Sequence, residues 1–447
     1  MSETTEMMSA LEVPPDTAAT GSPEVRPAPR LHYIDGLRGM AMLMVLLFHG
    51  WVRNHYWHLN VPLGPHHYVN IASLLSHGYT GVHLFLVLSG FCLFWPFVKG
   101  GTRAEPTLWQ FARKRCRRIL PPYYVVLALF GGIALVQSLT SIAPAHKTGY
   151  VLDWLWMHGT MMHNLFPGYV MTINAPLWTL ALEFQLYILF PLFVEAYRRF
   201  NSHVVLLTVF TFTIIVHYLA NHAAAPGDLF AENVLTLTNS VFGRCFEFAL
   251  GMFAAKRVAQ WHRDGGRLVH LADGGIVAAF VLVTAIDHRF WHLGTTSDAM
   301  WGLIYASLLL AGSHPGLPIH RLLSARWLVA CGIFSYSVYL IHEPLMIALH
   351  QYVVPQPLSN AGNAALELCV VVPLMLGLGY LFHLLFERPF MSAPRDRDSS
   401  TRPPRFRFRW RSPGEDPTSP APLVVSAVSD AAASPSGLVS EPILPIM

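Results

Sequence analysis

Charge is scarce in this chain. Asp, Glu, Lys and Arg make up 13% of its 447 residues, against 53% hydrophobic ones, and the mean hydropathy is +0.40. Soluble domains carry about 25% charge, so a water-soluble enzyme of this length is excluded and a multispanning membrane protein is expected. Paired cysteines are missing too. Cys92, Cys116, Cys245, Cys331 and Cys369 stand apart, mostly within apolar runs, and form no CxxC motif; free, buried thiols are expected. Residues 1–30 hold no apolar core, so no cleavable signal peptide is expected and the first span acts as its own anchor. No internal repeat is visible.

What is there is a series of ten apolar stretches, at about 34–52, 80–98, 119–139, 176–197, 203–220, 239–257, 274–290, 299–313, 327–349 and 365–387. The fold class expected is therefore all-α, a polytopic bundle of about ten transmembrane helices. Loop charge orients it. Lys99, Arg103, Arg113, Lys114, Arg115, Arg117 and Arg118 follow the second stretch, whereas Arg53 alone precedes it. Arg198 and Arg199, then Lys256, Arg257, Arg263 and Arg267, then Arg321 and Arg326, and finally Arg388 fall on that same side, while 221–238 and 350–364 have no Lys or Arg. The positive-inside rule then places both termini in the cytoplasm. The net charge of +4 reports orientation in the plasma (bacterial inner) membrane rather than nucleic-acid binding.

Three domains of behaviour are expected: a disordered tail at 1–30, a transmembrane domain at 31–391, and a second disordered tail at 392–447. Within the last, the alternating cations and aromatics from Arg402 to Arg411 suit an anionic inner leaflet or a plain solvated tail. The aromatic segment 140–175 is too polar to span, and reads as an extracytoplasmic lid.

Ionisable residues at membrane depth are expensive unless they face a cavity or one another. Arg38 and His49 lie eleven residues apart in the first span, on one stripe and about 16 Å apart along the axis. With orientation fixed, two layers emerge. His49, His83, Glu183, Arg244, Glu247, His342 and Glu343 fall in the outer half, where groups that titrate near working pH suit proton transfer. Arg38 and the Arg113–Arg118 cluster fall on the inner side, where planar guanidiniums suit phosphates. Arg244 and Glu247, spaced i and i+3, read as a structural ion pair.

The motifs then resemble those of the acyltransferase-3 membrane O-acyltransferases. Ile34-Asp-Gly-Leu-Arg38-Gly39 followed by Phe48-His49 is similar to the family's Arg-x10-His signature, and Ser89-Gly90-Phe91 to its Ser-Gly-Phe element. Arg115-Cys-Arg-Arg118 resembles its cytoplasmic Arg-x-x-Arg motif, and Trp178-Thr-Leu-Ala-Leu-Glu183 its Trp-Ser-Leu-x-x-Glu helix, with Thr179 in place of serine. Ser335 through Pro344 and Glu387-Arg-Pro389 complete the set. The resemblance implies transfer of an acetyl or other short acyl group from cytoplasmic acyl-CoA to a hydroxyl. It implies His49 as catalytic residue and Arg38, Arg115 and Arg118 as donor-binding ones.

Glu183 is expected to join His49 in the catalytic site, with Trp178, Tyr187, His342 and Ser89 shaping it. Ser89 lacks the GxSxG context of a nucleophile, so packing or a bend is its expected part. No resident cofactor is expected; acetyl-CoA is a co-substrate, and the acceptor is a saccharide, with a lipid-linked or secondary-metabolite hydroxyl as alternative. No extra extracytoplasmic hydrolase-like domain is expected at the C-terminus. Seven histidines between His49 and His83, among them His55, His58, His66 and His67, raise a metal possibility. No carboxylate or cysteine accompanies them at ligand spacing, so no metal site is expected. A transporter or flippase would also line a cavity with polar groups, but segregation of cations inward from proton-transfer groups outward favours the enzyme.

Overall fold

The computed structural model describes residues 31–54, 58, 60–64, 67–99, 107–140, 147–223, 232–264, 294–354 and 358–391. The expected tails at 1–30 and 392–447, the run 402–411, the seventh apolar stretch and the histidines His55 and His66 lie outside these residues.

Helices dominate. In chain order they are α1 (His32–Arg53), α2 (Gly81–Val98), α3 (Leu108–Thr140), α4 (Thr148–Gly159), α5 (Leu177–Arg199), α6 (Ser202–Ala223), α7 (Glu232–Thr238) and α8 (Val241–Asp264). There follow α9 (Gly294–Gly312), α10 (Pro318–Leu323), α11 (Arg326–Ile333), α12 (Ser335–Tyr352), α13 (Asn360–Leu366), α14 (Val372–Phe382) and α15 (Arg388–Met391). One small departure from an all-helical chain is an antiparallel hairpin, β1 (Asn60–Gly64) with β2 (His67–Asn70), whose register shifts between Pro62 and Gly64.

Among the described residues, five helices are long and apolar enough to cross a bilayer: Leu74–Val98, Ala112–Thr140, Leu177–Arg199, Ser202–Ala220 and Asn360–Met391. A sixth arises if α11 and α12, bent by 71° at a short break, form one broken span. The ten stretches read from the sequence are thus only partly matched. Helices α1 and α8 coincide with the first and sixth, yet their charged and histidine side chains lower their hydropathy below that of a plain span. The apolar part of α9, Asp298–Gly312, is short.

Apolar side chains on the outside suit hydrocarbon rather than water around the bundle. On α6 alone Val204, Leu207, Phe212, Ile215, Tyr218 and Leu219 are exposed, a pattern that water would penalise. The five cysteines are free, as expected, but only Cys245 is buried; Cys369 is exposed and the rest are half-buried. An apolar environment accepts thiols on the surface, so burial was not required.

Glycine sets two close approaches. A Cβ on Gly90 would lie 2.0 Å from the Phe248 carbonyl oxygen, so α2 and α8 pack backbone to backbone. A Cβ on Gly39 would lie 2.2 Å from the Leu328 carbonyl oxygen, which seats α11 against α1 one residue beyond Arg38. Both contacts lie in motifs noted above. The segment expected to be a lid packs on the bundle: Asn174 Nδ2 donates to the Leu340 carbonyl at 2.9 Å and Tyr123 OH to that of His158 at 2.9 Å. Within it His158 and His163 stack at 3.8 Å, buried, and burial lowers the His158 pKa to about 4.

Candidate active site

Six of the nine predicted residues line one cavity of about 100 Å³: Arg38 from α1, Ser89 from α2, Arg115 and Arg118 from α3, and Glu183 and Tyr187 from α5. Their spacing explains why. Arg115 and Arg118 share a face of α3 one turn before the Pro121-Pro122 step, and Glu183 and Tyr187 share a face of α5. Glu183 accepts hydrogen bonds from Ser89 Oγ at 3.1 Å and from the Tyr187 hydroxyl. Ser89 is therefore more than a packing residue. Arg38 lies 3.5 Å from Asp35 and 3.4 Å from Cys92 Sγ.

The bend between α11 and α12 puts Ser335 and Tyr336, the first turn of α12, on the cavity wall. The positive end of that helix dipole joins three guanidiniums there. Against them the wall offers one carboxylate, Glu183, so the cavity can hold anionic groups.

Sequence reading missed the group behind Arg118. Glu387, wholly buried in a π-helical turn (His383–Glu387), lies 3.7 Å from Arg118 and accepts from Ser337 Oγ at 2.7 Å. His383 Nδ1 adds a contact at 2.9 Å. The signal was present in the Glu387-Arg-Pro389 motif, but nothing local pointed to α3.

The structure does not place His49 on that cavity. His49 sits in a separate cluster with His342, Glu343 and Arg53. Its Nδ1 lies 2.9 Å from the Val45 carbonyl oxygen, which can only accept, so Nδ1 carries the hydrogen and Nε2 is free to take one. The His342 Nδ1 donates likewise to the Tyr339 carbonyl at 2.8 Å, leaving its Nε2 as acceptor 3.3 Å from His49 Nδ1. His49 Nε2 is 3.3 Å from Glu343 Oε2, and Arg53 grips the other oxygen of that carboxylate.

Glu343 was placed in the same layer as His49 from the sequence but not named as a site residue, and Arg53 was not singled out for the site at all. Tyr339 joins the two parts: it lines the cavity, and its ring lies 5.6 Å from that of His342. Glu183, expected beside His49, instead shares the cavity of the arginines.

Among the described residues, His49, His342 and Glu343 bring possible metal-ligand atoms within 4.8 Å of one another. The carboxylate missing from the histidine-rich stretch thus comes from α12. Arg53, bound to the same carboxylate, also brings positive charge to this cluster.

Trp178 belongs to a third cluster. Its ring lies 6.0 Å from the Arg244 guanidinium. The Arg244–Glu247 pair forms as expected, at 3.4 Å, but within a larger network. Asp298 is 2.9 Å from Arg244, and His83 bridges Glu247 and Asp298 at 3.1 and 3.4 Å. A buried charge set of this kind is costly unless fully paired, and here each group has a partner.

Residues 31–384 match the family model of the acyltransferase 3 group, described as an acyltransferase domain. The chain belongs to the acyltransferase 3 family. Similarity extends to individual members of it. The O-acetyltransferase OatA of Staphylococcus aureus is 23% identical over 343 residues, covering 72% of this chain and 51% of the relative. The peptidoglycan O-acetyltransferase OatA of Listeria monocytogenes is 24% identical over 70% of this chain and 49% of its own length. The acyltransferase MdmB of Streptomyces mycarofaciens is 24% identical over 81% of this chain and 92% of its own. The chain thus spans about half the length of the first curated relatives it matches. No solved structure matches it. Several helices of this acyltransferase 3 chain are long and apolar enough to cross a bilayer, and O-acetyltransferases are among its homologues.

Proposed function

We propose that the chain is a plasma-membrane O-acyltransferase that carries an acetyl or similar short acyl group from cytoplasmic acyl-CoA to a saccharide hydroxyl at the extracytoplasmic side. In this reading about ten spans cross the membrane, both termini are cytoplasmic, and residues 31–391 form the catalytic domain between two tails. The observation that carries it is the division of the polar interior: an arginine-lined cavity with one helix dipole on it, and an imidazole relay beyond Tyr339. Arg115, Arg118 and Arg38 hold the phosphorylated donor. A pantetheine arm extends the thioester outward through a hydrocarbon core only about 30 Å thick.

At the outer cluster His49 acts as general base. Its Nε2 takes the proton of the acceptor hydroxyl while the hydroxyl oxygen attacks the thioester carbonyl. The tetrahedral oxyanion collapses, the C–S bond breaks, and the CoA thiolate takes up the proton that His49 held. Glu343 faces Nε2 and stabilises the imidazolium formed in between, while His342 and Val45 fix the ring's tautomer. Glu183, bound to Ser89 and Tyr187, sets charge in the donor cavity. The saccharide acceptor follows the relatives, of which one is by name a peptidoglycan O-acetyltransferase.

Membranes from cells producing the chain, incubated with radiolabelled acetyl-CoA, test this. Base-labile label in the saccharide fraction is expected from wild type and not from an equally produced His49→Ala variant. Equal labelling by both overturns the assignment of His49.

A further inference from the structure

A second cavity, of about 210 Å³, lies away from the active site, where the connector between α5 and α6 meets the end of α8. It is more than ten times the roughly 10–15 Å³ that admits one water. Its wall is cationic: Lys256 and Arg257 from α8 and His203 from the first turn of α6, with Ser202 and Gln260 between them. Lys256 Nζ donates to Ser202 Oγ at 2.9 Å, and Arg257 donates to Gln260 at 3.4 Å with its guanidinium 5.8 Å from the Phe253 ring. Among the described residues neither cation has a carboxylate partner.

Two other cations of this face are ion-paired instead. Arg199 is paired with Glu195 and Arg118 with Glu387, whereas the two on α8 are fixed by neutral neighbours and turned to a hollow. The hollow also has a particular position. It opens at the end of α6, the span with the largest lipid-facing share, only 22% of whose apolar window is buried. Phe200, exposed in the same connector, marks apolar surface beside it. By loop charge this end faces the cytoplasm, the leaflet where basic pockets between spans take anionic headgroups.

We infer that this cavity binds the phosphate of an anionic phospholipid headgroup, held by Lys256, Arg257 and His203 at the cytoplasmic interface. Acyl chains would lie along the exposed face of α6. The site is distinct from the donor cavity and does not depend on the acyl-transfer reading.

Native mass spectrometry of the full chain, purified in detergent with phosphatidylglycerol or phosphatidylcholine, tests it. Wild type is expected to retain phosphatidylglycerol in preference to phosphatidylcholine. The K256Q/R257Q variant should lose that retention by about thirty-fold, and Arg321→Gln, at another cytoplasmic loop, should keep it. Equal retention of both lipids by wild type, or undiminished phosphatidylglycerol binding by the double variant, overturns the site. Displacement of phosphatidylglycerol from wild type by millimolar inorganic phosphate or CoA would instead assign the cavity to a soluble phosphate and overturn the lipid assignment. Should the double variant not be recovered folded, the two-lipid comparison and the displacement on wild type decide alone.

Discussion

Replacing Glu343 by Gln removes one charge from the His49 cluster and leaves the shape nearly unchanged. The effect follows from the geometry. At 3.3 Å from His49 Nε2, a full carboxylate attracts an imidazolium by about 5 kcal/mol at an effective dielectric of about 20. Arg53, bound to the same carboxylate, repels that imidazolium and cancels part of the gain. The remainder, roughly 2–3 kcal/mol, corresponds to a loss of about 30- to 150-fold in kcat. Because the charge on His49 exists only while it holds the proton, the loss falls on kcat and the KM for acyl-CoA stays near wild type. The assay is initial-rate transfer of labelled acetyl groups in membranes, normalised to folded protein. Glu343→Gln with wild-type kcat, or with a loss confined to KM, would refute imidazolium stabilisation by this carboxylate.

Other consequences bear on different parts of the molecule. Glu387→Gln removes the carboxylate behind Arg118. It should raise the KM for acyl-CoA more than it lowers kcat, and cost stability of roughly 3–5 kcal/mol, read from the thermal transition in detergent. Gly90→Val drives a branched side chain into the Phe248 carbonyl; the protein should be destabilised by about 1–3 kcal/mol or more, seen as loss of monodisperse material. His158 is buried and neutral, with its pKa lowered to about 4, while in the unfolded chain it protonates near 6.5. Between those values the unfolded state binds the extra proton, so stability falls as pH drops from 6.5 toward 4, by up to about 3 kcal/mol. Thermal unfolding at pH 7 and pH 5 should show it, and His158→Gln should flatten the difference.

Much of the arginine-lined cavity was legible because helical spacing fixes which residues share a face. Arg38 and Ser89 lie in short motifs, Arg115 and Arg118 on one turn of α3, and Glu183 and Tyr187 at i and i+4 on α5. Which helix stands opposite was not legible. Arg53 meets Glu343 across 290 positions, and Arg118 meets Glu387 through a π-helical turn that no periodicity announces. For the same reason Glu183 was grouped with His49 by depth and by motif, whereas the fold turns it toward the arginines. Depth along a helix gives a layer, not a partner. Span number suffered the opposite fault: the charged groups within α1 and α8 lower the hydropathy by which spans are recognised.

The most direct test of the central claim is the side from which the donor is used. Sealed membrane vesicles of defined orientation, inverted or right-side-out, are given radiolabelled acetyl-CoA outside, and base-labile label is followed in the saccharide fraction. The account predicts His49-dependent labelling in inverted vesicles, whose cytoplasmic face is outward, and none in right-side-out ones. Labelling of right-side-out vesicles at the same rate would contradict a donor held at the cytoplasmic arginines.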